Sequence, residues 1–218
     1  MDIYQSCHYA LERLSKKGDK LKLLHNKLMR LRPWKSIIEK LKELDDSSII
    51  LLQEVGHVLF KELQIVYGER LISTKTPDFL GEEKEEYRLA ILPSDGLKNL
   101  SSSSHDVLQK MGTDYRSNLL FQYKGLWICN IHLYHKKGNE KEFILSTLEL
   151  AKTNNRDVIT DENSGVLFVG ATNNVITESI QMDLGFKVIK PSEPTFYSEI
   201  NGSNILDGYF FVNHLITA

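Results

Sequence analysis

Apolar positions along the chain change period several times, and each change marks an element. Residues 20–44 are helical in pattern: Pro33 suits a first helical position, and Trp34, Ile37, Ile38 and Leu41 then recur at the spacing of one buried face. A short turn at 45–47 leads into residues 48–55 (SIILLQEV), whose near-continuous apolar content predicts a strand covered on both faces. Helix followed by buried strand is the rhythm of a layered α/β domain.

The middle of the chain is more polar. Residues 78–86 (DFLGEEKEE) read as an acidic surface loop, residues 88–92 as a short strand, and the four serines at 101–104 as a loop. Residues 119–123 and 126–133 flank Lys124-Gly125 and predict a β-hairpin. Asn139 can cap a helix running to Lys152, with Phe143, Ile144, Leu148 and Leu150 or Ala151 on its inner side. Residues 166–170 predict a buried strand, residues 178–184 a short helix closed by Gly185, and residues 194–197 and 205–212 the last two strands. No internal repeat or interdomain linker interrupts this order, so one domain over residues 1–218 is expected.

Composition narrows the class without naming it. The chain is 41% hydrophobic and 26% charged, as an ordinary soluble globular protein is. No apolar run approaches the ~18 residues of a membrane span. The opening MDIYQSCHY lacks a secretory pattern, and an intracellular location, cytoplasm or nucleus, is the expectation. Cys7 and Cys129 lack metal-ligand spacing and read as reduced, structural thiols. Charge is uneven: residues 13–42 hold 11 Lys/Arg against Asp19 and Glu39, which is +9 in a chain of net charge −2, leaving −11 elsewhere. A basic segment on an acidic body attracts phosphate-rich partners, although a solvated helix face explains the same charges. The expected partner is nucleic acid and the expected state a monomer, with a protein partner left open.

Four segments could carry chemistry: LLQEV (51–55), NIHL (130–133), GATN (170–173) and ILDGYFFV (205–212). Each lies at or near the end of a predicted strand, where side chains leave the sheet and can converge. Singly they are weak. A Gln-Glu pair after a strand is more often a surface edge, and a lone histidine there is more often a core residue.

In this order and spacing the segments resemble the endonuclease/exonuclease/phosphatase superfamily, and the resemblance covers nearly the whole chain. It is strongest in RPWKSIIEKLKELDDSSIILLQEV, NIHLYHKKGNEKEFILSTLELAK and the PTFYS…ILDGYFF ending. The first of these looks most like the deadenylase and tyrosyl-DNA phosphodiesterase branches. The resemblance implies a two-sheet α/β sandwich with its active site at one end and Mg²⁺, or Mn²⁺ in its place, as cofactor. It implies that Glu54 is a metal ligand, in keeping with the hard oxygen ligands Mg²⁺ prefers. His132 matches a histidine that contacts the scissile phosphate, where a protonated imidazole stabilises developing charge. Asn130 supports that loop on the substrate side, with Tyr134 and His135 as its neighbours. Asn173 matches an amide that orients phosphate or water, while Asn174 reads as a loop residue. Asp207 matches a carboxylate near the site. Glu86 and Tyr87 precede a strand where family members place an acidic or phosphate-facing residue.

Three positions depart from the family pattern. Ala171 stands where Gly-Asp-x-Asn has the Asp that handles the attacking water, a group of the kind typically worth ~10²–10⁴ in rate. Gln5 or Ser6 stands where the first strand ends in a metal-assisting Asn. The family's final Ser-Asp-His has no clear counterpart: either His214 is a compressed version of its histidine, or the final strand and its Asp–His pair are absent. A lone Asp-to-Ala change looks engineered and three departures look like natural degeneration; both readings stay open. The expected function is Mg²⁺-dependent phosphodiester cleavage of DNA or RNA, impaired in this sequence. The alternatives are a degenerate pseudo-nuclease that binds nucleic acid or protein, and a phosphatase of the same superfamily.

Overall fold

Strands in the centre of this chain send alternate side chains to two different apolar destinations, and that alternation builds the layers. A computed structural model of the chain describes residues 34–75, 78–79, 85–100, 104–111, 114–134, 138–154, 165–173, 175–190, 196–198, 202–204 and 207–213. The chain divides into two compact units, Met1–Asp45 and Asp46–Ala218. In the first, helix α1 (Trp34–Lys42) buries Ile38 and Leu41 from its predicted face and leaves Ile37 half-buried. Lys40 and Lys42 occupy its last turn, where positive charge complements the helix dipole. Pro33, most of the basic segment, Gln5, Ser6 and Cys7 lie outside the described residues.

The second unit holds two main sheets. Strand β4 (Glu85–Ile91) is the spine of the first, flanked by β1 (Ile50–Gly56) on one edge and by the short β2 (Leu71–Ser73) and β3 (Asp78–Phe79) on the other, all antiparallel. The second sheet runs β11-β8-β7-β6-β5, from Asp207–Asn213, Gly165–Ala171, Leu126–His132, Asp114–Tyr123 and His105–Met111. Its β7–β8 pair is parallel and the others are antiparallel. A parallel pair needs a crossover, supplied here by helix α3 (Glu140–Thr153). Strands β9 (Phe196–Ser198) and β10 (Gly202–Asn204) form a separate two-stranded ribbon.

Between the sheets, Leu119, Phe121 and Tyr123 of β6 and Ile128 of β7 pack with Ala90 and Leu92 from the β4 side. The alternate residues Leu120, Trp127, Cys129 and Ile131 face the other way. They meet Phe143, Ile144, Leu148 and Ala151 of α3, together with Val166 and Phe168 of β8. Helix α2 (His57–Tyr67) covers the outer face of the first sheet, burying Phe60 and Leu63, and the Phe60 ring stacks on Tyr87 of β4 at 4.3 Å. The unit is thus a two-sheet α/β sandwich. Cys129 is a free thiol within it, and burial pushes its pKa up, so it acts as a core group.

Several expectations change in the structure. The expected hairpin forms, and Lys124 (φ 50°) and Gly125 (φ 79°) take the left-handed turn geometry that matches strand twist. Strand β1, expected to be covered on both faces, is half-buried at a sheet edge, because β4 is its partner on one side only among the described residues. Asn139 stands at the α3 N-cap without a side-chain capping bond. The Glu140 carboxylate instead accepts from the Gly138 N–H at 2.7 Å. Thr177 caps helix α4 (Glu178–Asp183) by accepting from the Ile180 N–H, and Gly185 (φ 63°) ends it. The expected acidic loop is partly strand, with β3 inside it and β4 beginning at Glu85.

One of the polar residues on the inter-sheet face ties the two sheets together. Asn130 of β7 donates from Nδ2 to the Leu52 carbonyl of β1 (2.9 Å) and the Leu89 carbonyl of β4 (2.8 Å). Its Oδ1 accepts from Gln53 Nε2 at 2.8 Å. Every bond crosses from one sheet to the other. Asn130→Ala leaves two carbonyls and one amide without these partners, at ~1–3 kcal/mol for a buried group left unmade. The expected loss is about 3 kcal/mol or more. Urea denaturation reads it as a lower midpoint at unchanged slope.

Candidate active site

The site is assembled where β1, β7 and β8 end and β11 begins. Strand β1 carries an extra residue there: Leu52 pairs with Leu89 and Val55 with Tyr87, so three steps on β1 oppose two on β4. The bulge contains Glu54 in the left-handed region (φ 53°), a conformation costing a non-glycine residue roughly 1–2 kcal/mol. The geometry turns its carboxylate out of the sheet, with the side chain 59% exposed and Oε1 3.2 Å from His132 Nε2.

His132, the last residue of β7, is buried. Burial above all, and then the charges of Arg116 and Arg88, pull its pKa down to about 3. Burial and these charges therefore favour the neutral imidazole. Its contact with Glu54 is a hydrogen bond donated by Nε2–H rather than an ion pair. Nδ1 then carries the lone pair, and it has no hydrogen-bond partner among the described residues.

Sheet register brings the remaining segments alongside. The parallel β7–β8 ladder sets Ala171 beside His132, and the antiparallel β8–β11 ladder sets Asp207 beside Ala171. His132, Ala171 and Asp207 thus occupy one row across the end of the five-stranded sheet, on strands ~4.8 Å apart. The middle position of that row carries only a methyl group. Just beyond it Asn173 adopts a left-handed conformation (φ 47°), which asparagine tolerates, and donates from Nδ2 to the Leu133 carbonyl. The Leu133 N–H returns a bond to the Ala171 carbonyl at 2.8 Å, tying the two motif loops together.

The other expected residues fall as follows. Asn130 commits its amide to the inter-sheet bonds described above. The half-buried Tyr134 donates its N–H to Gln109 Oε1 of β5, and its ring lies under the Arg116 guanidinium at 5.7 Å. Tyr87 is buried against Phe60, and its hydroxyl donates to Glu85, which also meets His57 Nδ1 at 3.1 Å. Gln5, His135, Asn174 and His214 lie outside the described residues.

Sequence reasoning missed Gln53, Arg88, Arg116 and Asn118. Buried arginines on strand-patterned segments were the available signal, since an arginine is almost never fully buried without partners. Gln53 had a subtler one. Gly170 takes φ 137°, and a Cβ there would lie 2.1 Å from the Ile131 carbonyl oxygen and 2.8 Å from Gln53 Nε2. The glycine of GATN is required by this close approach.

Magnesium is held by one or two carboxylates plus waters. The described residues include no group of three or more His, Cys, Asp or Glu able to hold a metal. Glu54 is one carboxylate, already engaged by His132, and Ala171 contributes none. Among the described side chains, the donor set falls short of a metal centre. What it offers is an imidazole N–H, an exposed carboxylate and an amide at the mouth of a sandwich.

No family model and no curated protein matches the chain. Solved structures do. One is an endonuclease/exonuclease/phosphatase family protein from Leptotrichia buccalis, at 16% identity over 82% of this chain and 78% of that one, with a TM-score of 0.49. Another is D. rerio TDP2 complexed with a single-strand DNA product, at 12% identity over 83% and 76% of the two chains, TM-score 0.47. A third is the human Nocturnin catalytic domain with bound sulfate, at 15% identity over 76% and 69%, TM-score 0.48. The chain is similar to each of these.

Gly170→Ala tests the packing of the motif. The added methyl meets backbone, so the expected loss is about 2–4 kcal/mol, from the positive φ together with the clash. Gln53→Ala does not rescue it, because Ile131 O remains. Thermal melts of the single and double variants check this, and full rescue by Gln53→Ala would place the constraint on the side chain instead.

Proposed function

We propose that this chain is a member of the endonuclease/exonuclease/phosphatase superfamily built on the frame of a Mg²⁺-dependent phosphodiesterase. Its substrate class is nucleic acid, and with Ala171 it binds a phosphodiester far better than it cleaves one. The observation that carries this reading is the row His132–Ala171–Asp207 set by sheet register, with Glu54 reaching His132 from the other sheet. The superfamily motifs and the basic segment 13–42 support the choice of nucleic acid.

The residues present suit recognition. Neutral His132 offers its Nε2–H to a non-bridging phosphate oxygen once Glu54 releases it, and Asn173 presents an amide beside the same loop. Hydrolysis further needs a group to take the proton from the attacking water. A methyl at 171 cannot accept it, and general bases of this kind are worth ~10²–10⁴ in rate. In the parent site Mg²⁺ (or Mn²⁺) would supply Lewis-acid stabilisation of phosphate charge, with Glu54 and the Gln5 position as its ligands. No step in this chain is routed through it.

A second reading, that the chain is purely a binding module, is favoured by one feature. The row His132–Ala171–Asp207 has only a methyl group in its middle, where hydrolysis needs a base.

Ala171→Asp separates the two. With Mg²⁺ it is expected to cleave single-stranded DNA or RNA ~10²-fold or more faster than the parent chain. It is also expected to bind Mn²⁺ at least about tenfold more tightly, and Glu54→Gln in that background removes both gains. Hydrolysis of inositol phosphates but not oligonucleotides would move the substrate class to small phosphates. Cleavage of neither, with oligonucleotide binding retained in EDTA, would establish the binding module and overturn the hydrolase reading.

A further inference from the structure

Beyond Asn130 the β6–β7 ladder no longer holds the chain, and side chains replace it. The last pair is Leu119 with Asn130. Past it, the His132 N–H donates to Asn118 Oδ1 at 2.9 Å instead of to a strand carbonyl. The carbonyls of His132 and Leu133 both accept from Arg116 Nη1, at 3.3 Å each. Arg116 is itself buried, and its guanidinium lies over the Tyr134 ring. One side chain of β6 therefore touches three consecutive residues, 132 to 134, where β7 leaves the sheet.

We propose that Arg116 is the positioning residue for His132. By gripping the carbonyls on either side of the point where the strand ends, it sets where the imidazole meets Glu54 and the substrate phosphate. The role rests on the reading that His132 faces a phosphodiester. Arginine suits it because its planar fork is preorganised and loses less freedom per hydrogen bond than a lysine. The ring face of Tyr134 limits how far that fork can swing.

The test uses the side-chain Nε2–H of His132, which needs no catalysis to observe. In the full-length parent chain, nitrogen-15 NMR is expected to find a slowly exchanging imidazole N–H, because the donor is buried and bonded to Glu54. Arg116→Gln is expected to speed that exchange at least about tenfold while circular dichroism keeps its native form. Arg116→Lys, which keeps charge and one donor, is expected to fall between, at roughly threefold. The lysine variant decides the matter if the glutamine variant does not fold. In the Ala171→Asp background, Arg116→Gln is expected to lower kcat about tenfold with KM held within roughly twofold. An unchanged His132 N–H in the folded variants overturns the proposal. Loss of the N–H with no hydrolysis by Ala171→Asp itself keeps Arg116 as the positioning residue and defeats the hydrolase reading alone.

Discussion

The carboxamide of Asn130 is the contact on which the rest of the sandwich depends. It lies between the two sheets, and it satisfies carbonyls of β1 and β4 and the amide of Gln53. A buried amide is tolerated only when its bonds are made, so its geometry sets the distance and register between the sheets. Gln53, held by that bond, comes down onto Gly170, where no side chain fits. Two motifs far apart in sequence, LLQEV and GATN, are thereby placed against each other. The β1 bulge follows, and it aims Glu54 at His132.

The electrostatics of the site follow from depth. His132 sits where water is excluded and two arginines are near, so its imidazole stays neutral and acts as a directed donor. The same burial makes the empty middle of the row consequential. With aspartate at 171, a carboxylate would stand between His132 and the Asp207 position, facing Glu54. With alanine, the row keeps its shape and loses its base. On the proposed reading, recognition and catalysis use different atoms of one scaffold, so one can persist while the other fails.

Legibility varied with how far each element follows the rule of apolar inside. The hairpin, α3, β8 and α4 obey it and were readable from pattern alone. Strand β5, not assigned from the sequence, inverts it, exposing Leu108 while burying Gln109 to meet Tyr134. Helix α2 leaves Val58, Ile65 and Val66 exposed beside buried Phe60 and Leu63, which blurs a single apolar stripe. The bulge at Glu54 has no glycine to announce it. Arg116 and Arg88 look like surface residues until the sheets close over them.

By itself the sequence determined the elements whose apolar pattern is regular and the four segments that meet at strand ends, because periodicity and residue type are local properties. It also determined that position 171 has no carboxylate. Tertiary structure decided the rest. Sheet register alone put His132, Ala171 and Asp207 in one row, and a buried amide alone fixed how Glu54 faces them. Burial together with two nearby arginines favoured the neutral histidine. Each depends on residues tens of positions apart meeting in a low-dielectric space, which pattern along a chain does not encode.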